Sequence, residues 1–147
     1  MKGTILLADD NPHTLRMGTE YLSGLGYRVT TAADGGAALA ALRQDRPELI
    51  LVDAALPGFA SPLGGMELCR KVKSDPALQS IPVLVLVGAL AHLAPAALGG
   101  ADGSLRKPLS SAGLETWLDR IAAARGAREL TPDEMLVLAV QEAARAL

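Results

Sequence analysis

A chain of 147 residues, 50% apolar and 20% charged, has the material for one ordinary domain around a single core and excludes a second large one. Its net charge of -2 gives no attraction to polyanions, so nucleic-acid binding is not expected. The lone cysteine, Cys69, excludes an intramolecular disulfide or a zinc-finger type of site and fits a reducing, cytoplasmic setting, while MKGTILLADD turns acidic too early for a signal peptide and no apolar run approaches bilayer-spanning length.

Short apolar runs alternate with longer helical patterns, which predicts repeated βαβ units and a parallel sheet covered on both faces. The first strand spans Thr4 to Ala8. Asn11 and Pro12 then supply an N-cap and a first-turn proline, and Leu15, Gly18, Leu22 and Leu25 mark one face of a helix. A second strand, Arg28 to Ala32, leads to Asp34, which caps an alanine-rich second helix. Leu49 to Val52 form a third strand, and a third helix runs from about Gly65 to Lys73 with Leu68, Cys69 and Val72 inward. Val83 to Val87 give the fourth strand, Gly103 to Arg106 a weaker fifth. A later helix, from about Ser111 to Ala124, carries Leu114, Trp117, Leu118 and Ile121 as a stripe for burial.

Two segments depart from this rhythm. GALAHLAPAALGGADG, from Gly88 to Gly103, carries Pro95 and no charge before Asp102, so the fourth helix is expected to be reduced to a turn or two. Beyond Gly126, Thr131, Pro132, Asp133 and Glu134 form a capping box ahead of Leu136, Val140, Ala143 and Leu147, which predicts an additional C-terminal helix. The expected division is therefore a domain over 1–125, followed over 126–147 by a linker and that helix.

In an open parallel sheet, ligands bind beyond the carboxyl ends of the strands. Asp9 and Asp10 follow strand one, Asp53 follows strand three and Lys107 with Pro108 follows strand five, so three carboxylates and one ammonium should share a rim. Two like charges about 4 Å apart repel by about 4 kcal/mol at an effective dielectric near 20, so the cluster calls for a cation or shifted pKa values. A hard divalent ion, Mg2+, meets that need with oxygen ligands. With the charge neutralised, a carboxylate can serve as nucleophile in an in-line phosphoryl transfer.

In their order and separations, ILLADDNP, LILVDAALPG, IPVLVLV and GADGSLRKP resemble the receiver domain of bacterial two-component response regulators, over about Gly3 to Ala124. The resemblance implies a flavodoxin-like, doubly wound five-stranded parallel sheet of order 2-1-3-4-5 that takes a phosphoryl group from a histidine kinase or phosphotransfer protein. It implies Asp53 as phosphoacceptor; Asp10, Asp53 and the Ala55 carbonyl on the metal, with Asp9 acting through water; and Lys107 on the phosphoryl group. The sequence also departs from the family. Val87 stands where receivers place a threonine or serine, Ser104 stands in place of a strand-five aromatic residue, and the loop GFASPLGG is longer than usual. A hydrogen bond to a charged acceptor, about 1.5 to 3 kcal/mol, is missing at Val87, so both switch positions are degenerate.

Plainer readings compete with these. Acidic residues after strands are often solvated loop starts, and Asp9 or Asp10 alone could serve as a charge near a helix N-terminus. Cys69 reads as a small buried hydrophobe, and His13 and His92 have no histidine or cysteine companion spaced for a metal. The expected function is a stand-alone receiver, a phosphoacceptor that catalyses only its own phosphoryl transfer and signals through a downstream protein partner. The segment from Leu90 to Leu98 or the terminal helix is the expected contact surface, either of which could join two copies as a homodimer. The alternative is a pseudo-receiver, an interaction module independent of phosphorylation. An aspartyl-phosphate hydrolase expects an acid two residues past its nucleophile, where Ala55 stands.

Overall fold

The computed structural model describes residues 3–88, 100–107, 112–129, 136, 139–141 and 143. They fall into two compact units, 1–114 and 115–147. The first unit holds the sheet. Its strands are β1 (Thr4–Ala8), β2 (Arg28–Ala32), β3 (Leu49–Asp53), β4 (Val83–Val87) and β5 (Gly103–Arg106), all parallel, in the order β2-β1-β3-β4-β5. The expected order is thus the observed one. Asp53 does not follow β3 but ends it, paired with Leu86.

Three helices connect these strands: α1 (Pro12–Gly24), α2 (Gly35–Gln44) and α3 (Gly64–Ser74). The caps read from the sequence are in place. Asn11 Oδ1 accepts from His13 N and Asp34 Oδ1 accepts from Ala37 N, satisfying first-turn amides that the helix itself leaves open. α3 starts differently, because its N-cap position is Leu63, with no side-chain cap. Its start is fixed by packing instead, as described below.

Alternation along the strands decides the core. Leu6, Ala8, Ile50, Val52, Val83, Val85 and Val87 share one buried cluster with Ala38 and Leu42 of α2 and with Met66, Leu68, Cys69 and Val72 of α3. Their strand neighbours Ile5, Leu7, Leu49, Leu51, Leu84 and Leu86 face the other way and are equally buried, as is Leu22 of α1. A parallel sheet with both faces covered has to read as continuous apolar strands, and β4, VLVLV, is buried at every position. Leu25, expected on the inner face of α1, lies at its C-cap and is exposed.

A fourth helix, α4 (Ala112–Glu129), runs past the expected end at Ala124. Leu114, Leu118 and Ile121 are buried, and the Arg120 guanidinium lies 5.0 Å from the centre of the half-buried Trp117 ring. Leu136, residues 139–141 and Ala143 are helical, with Leu136 and Val140 exposed. The reduced fourth helix, the segment from Leu90 to Leu98, His92, Pro108, the capping box from Thr131 to Glu134, and Leu147 lie outside the described residues.

Candidate functional site

Three strand ends converge at the carboxyl rim of the sheet. β1 hands Asp9 and Asp10 to the rim, β3 ends on Asp53, and β5 hands over Lys107, whose N–H donates to the Val87 carbonyl at 3.2 Å. Asp9 is fully buried. Its N–H donates to the Ala32 carbonyl at 2.9 Å, and its Oδ1 accepts from Asn11 N at 2.9 Å, which ties it to the start of α1. Asp10, next in the chain, is exposed.

Lys107 crosses the end of β4 to reach both central carboxylates. Its Nζ lies 2.6 Å from Asp9 Oδ2 and 3.2 Å from Asp53 Oδ1. The Asp9 contact is ionic, since Oδ2, although buried, meets no donor in hydrogen-bonding geometry. One carboxylate oxygen each from Asp9, Asp10 and Asp53 lies within 4.8 Å of the others. Three negative groups thus face one ammonium.

The titration of the group follows from this imbalance. Burial pushes the Asp53 carboxyl above its ordinary range, the neighbouring Asp9 charge pushes the same way, and Lys107 offsets only part of the rise. For Lys107, burial acts to lower the amine, but its contacts with Asp9 and Asp53 outweigh that and hold it above its ordinary value. A closely spaced, incompletely neutralised set of hard oxygen donors, with a buried Asp9 oxygen lacking a hydrogen bond, fits a small divalent cation.

The turn after β3 is held by close backbone packing. Leu56 N–H donates to the Asp53 carbonyl at 3.1 Å and Gly65 N–H to the Ala54 carbonyl at 3.1 Å. A Cβ on Gly65 would collide with the Asp53 carbonyl oxygen, and one on Gly64 with the Leu56 carbonyl oxygen. These two glycines let α3 start against the turn that carries Asp53 and the exposed Ala55. The sequence places Gly64 in the loop and Gly65 at the helix start without assigning either a contact; their adjacency ahead of a helix with no polar N-cap is the available signal.

The remaining residues singled out in the sequence sort clearly. Val87 ends β4, is 6% exposed, stands one position past the partner of Asp53 and belongs to the buried core cluster. Ser104 pairs with Val85 in β5 and is exposed. His13 is exposed in the first turn of α1, with its Nδ1 3.2 Å from the Arg16 guanidinium. Cys69 is buried, as expected.

The family model for the response regulator receiver domain matches residues 5–119. The chain belongs to that family. Among curated relatives of this receiver, the DNA-binding response regulator MtrA of Mycolicibacterium smegmatis is 34% identical over 139 residues, which are 92% of this chain and 56% of MtrA. The response regulator PleD of Caulobacter vibrioides is 38% identical over 112 residues, 74% of this chain and 24% of PleD. The receiver chain therefore spans about half the length of the first and about a quarter of the second. Among solved structures, the receiver domain of the sensor histidine kinase PA1611 of Pseudomonas aeruginosa superposes with a TM-score of 0.71 at 28% identity, covering 82% of this chain and 98% of that one. That receiver holds a magnesium ion in its active-site cleft. The chemotaxis response regulator CheY4 of Vibrio cholerae gives a TM-score of 0.66 at 30% identity over 80% of this chain and 97% of its own. Receivers are phosphoacceptor modules. No helix among the described residues is long and apolar enough to cross a membrane.

Proposed function

We propose that this receiver accepts a phosphoryl group on Asp53 in a magnesium-dependent reaction, from a histidine kinase or a phosphotransfer protein. The observation that carries the reading is the Lys107 ammonium set 2.6 Å from Asp9 and 3.2 Å from Asp53, with the Asp10 carboxylate in the same cluster. Asp10, Asp53 and the Ala55 carbonyl would hold the ion, with Asp9 acting through water. When bound, the ion supplies the positive charge that draws the phosphoryl oxygens in and neutralises them as transfer proceeds.

The chain's own residues do the rest. An Asp53 carboxylate oxygen forms the new O–P bond as the P–N bond of a donor phosphohistidine breaks; the bonding pair leaves with the imidazole, which takes up a proton. Lys107 can shift from the Asp53 oxygen to the phosphoryl oxygens while its contact with Asp9 keeps the ammonium at the rim. Asp9, buried and tied by Asn11, orients Lys107. Turnover is not part of this reading, because Ala55 offers no acid or base two residues past Asp53.

The test is direct. Incubation with acetyl phosphate, with and without magnesium, should give a metal-dependent mass increase of one phosphoryl group that disappears in Asp53→Asn. Absence of any adduct in the wild-type protein would overturn the reading. It would favour the second one, a pseudo-receiver that binds a protein partner whether or not it is phosphorylated. The second reading is supported by Val87 and Ser104, which offer a new phosphoryl group neither a hydroxyl from β4 nor a ring in β5. In either case output is proposed to pass through protein contacts, homodimerisation included, with no nucleic-acid contact from these residues.

A further inference from the structure

The loop between β3 and α3 is neutral and contains a single aromatic residue, Phe59. Its ring is half-buried and packs against the core cluster. A Cβ on Gly35, at the start of α2, would lie 2.5 Å from Phe59 Cε2 and 2.6 Å from Cζ, so the ring fills the space that a side chain at Gly35 would need. Cδ2, 2.9 Å from the same Gly35 position, would also meet a Cβ on Gly64 at 3.1 Å. The Lys71 ammonium, two α3 turns further on, lies 5.9 Å from the ring centre. The backbone reinforces the seat. Gly35 N–H donates to the Pro57 carbonyl at 2.8 Å, and Gly58 turns the chain at φ +100°, a conformation that side-chain-bearing residues rarely adopt.

Phe59 therefore joins the α2 start, the loop and the α3 start into one packed unit, and that unit carries the turn from Ala54 to Pro57. Gly64 and Gly65 abut the Leu56 and Asp53 carbonyls, so any shift of the α3 start is felt at the backbone of the acceptor aspartate and of Ala55. We propose that Phe59 is a positioning residue of this site, an aromatic wedge between Gly35 and Gly64 that fixes the Asp53 to Ala55 backbone in the geometry that holds the divalent ion. The proposal rests on the metal reading above and adds to it a residue outside the acidic cluster.

The experiment measures Mn2+ binding to the full chain by electron paramagnetic resonance, beside the thermal midpoint of each variant in EDTA. Phe59→Ala should weaken Mn2+ binding at least fivefold. Gly35→Ala, which displaces the ring while leaving Phe59 in the sequence, should do the same, and carries the test if Phe59→Ala does not fold. Leu22→Val, a core change under α1 far from the loop, should lower the thermal midpoint and leave Mn2+ affinity within twofold. A Phe59→Ala or Gly35→Ala protein that folds and keeps wild-type affinity within twofold overturns the proposal, whatever its midpoint. A wild-type protein that binds no Mn2+ overturns the metal reading itself, and this proposal with it.

Discussion

At the scale of single residues, Asp53 is a side chain whose charge the fold disfavours. Burial and the nearby Asp9 carboxylate raise its pKa, so the folded protein holds that proton more tightly than the unfolded chain does. As pH rises through the ordinary value of 3.8 and on through the raised folded value, the unfolded state ionises first and the fold loses stability. In EDTA at neutral pH, Asp53→Asn should therefore stabilise the protein by on the order of 1 kcal/mol, the scale of a like-charge contact of about 4 Å screened by water. Thermal melts should show a midpoint about 3 °C higher, a difference that shrinks as pH falls toward 4. Val87 makes the opposite case. Val87→Thr places a hydroxyl at a 6% exposed position with no phosphoryl group to meet, which should cost the resting protein about 1 to 3 kcal/mol. Once Asp53 is phosphorylated the same hydroxyl gains an acceptor, so the adduct should persist severalfold longer than in the wild-type protein, as followed by intact mass over time. An identical lifetime would show that Val87 does not govern the adduct. The residues of the rim were legible before the fold because their types are chemically costly to place together. Phe59 was not, because an aromatic residue in a loop acquires its meaning only from the two glycines it meets across space.

Secondary-structure elements were read from the same physics, with errors where packing outranked local signals. Strands β1, β2, β4 and β5 keep their expected bounds because apolar runs between turn residues leave little choice. α3 starts one residue before the expected Gly65, since its first turn is fixed by glycine contacts with the end of β3 and the turn after it rather than by a polar cap. The far end of α3 shows a different device. Lys73 Nζ donates to the Gln79 carbonyl at 3.2 Å and the Ile81 carbonyl at 2.8 Å, and pairs with Asp102 Oδ2 at 2.8 Å, while that oxygen also accepts from Val83 N. One ammonium thus joins the helix C-terminus to the entries of β4 and β5, a link no spacing in the sequence announces. Lys73→Met should remove this donor from the Gln79 and Ile81 carbonyls and cost about 1 to 2 kcal/mol, read as a lower denaturation midpoint with unchanged metal binding. Asp34→Ala, which removes the α2 cap at Ala37 N, should cost about 1 kcal/mol.

For the molecule as a whole, the order β2-β1-β3-β4-β5 places β1 and β3 side by side, which is why two acidic strand ends meet at all. The alternation of apolar runs and helical patterns was enough to predict a parallel sheet; the strand order came from resemblance to a family, because pattern alone does not say which strands are neighbours. The same topology predicts a linkage. A divalent ion that binds only the assembled rim should raise stability in proportion to the logarithm of its concentration once above its dissociation constant, by about 1.4 kcal/mol per tenfold increase. In Asp53→Asn that dependence should flatten, as titration calorimetry and chemical denaturation with magnesium would both report. The Lys107 bridge also carries a message about biosynthesis. Asp9 and Asp53 leave the ribosome early and Lys107 late, so a nascent chain ending before β5 presents carboxylates that repel one another with no counter-charge. Such a chain should pair its central strands against unrelieved repulsion and, on the function proposed above, should accept no phosphoryl group until Lys107 has joined the rim.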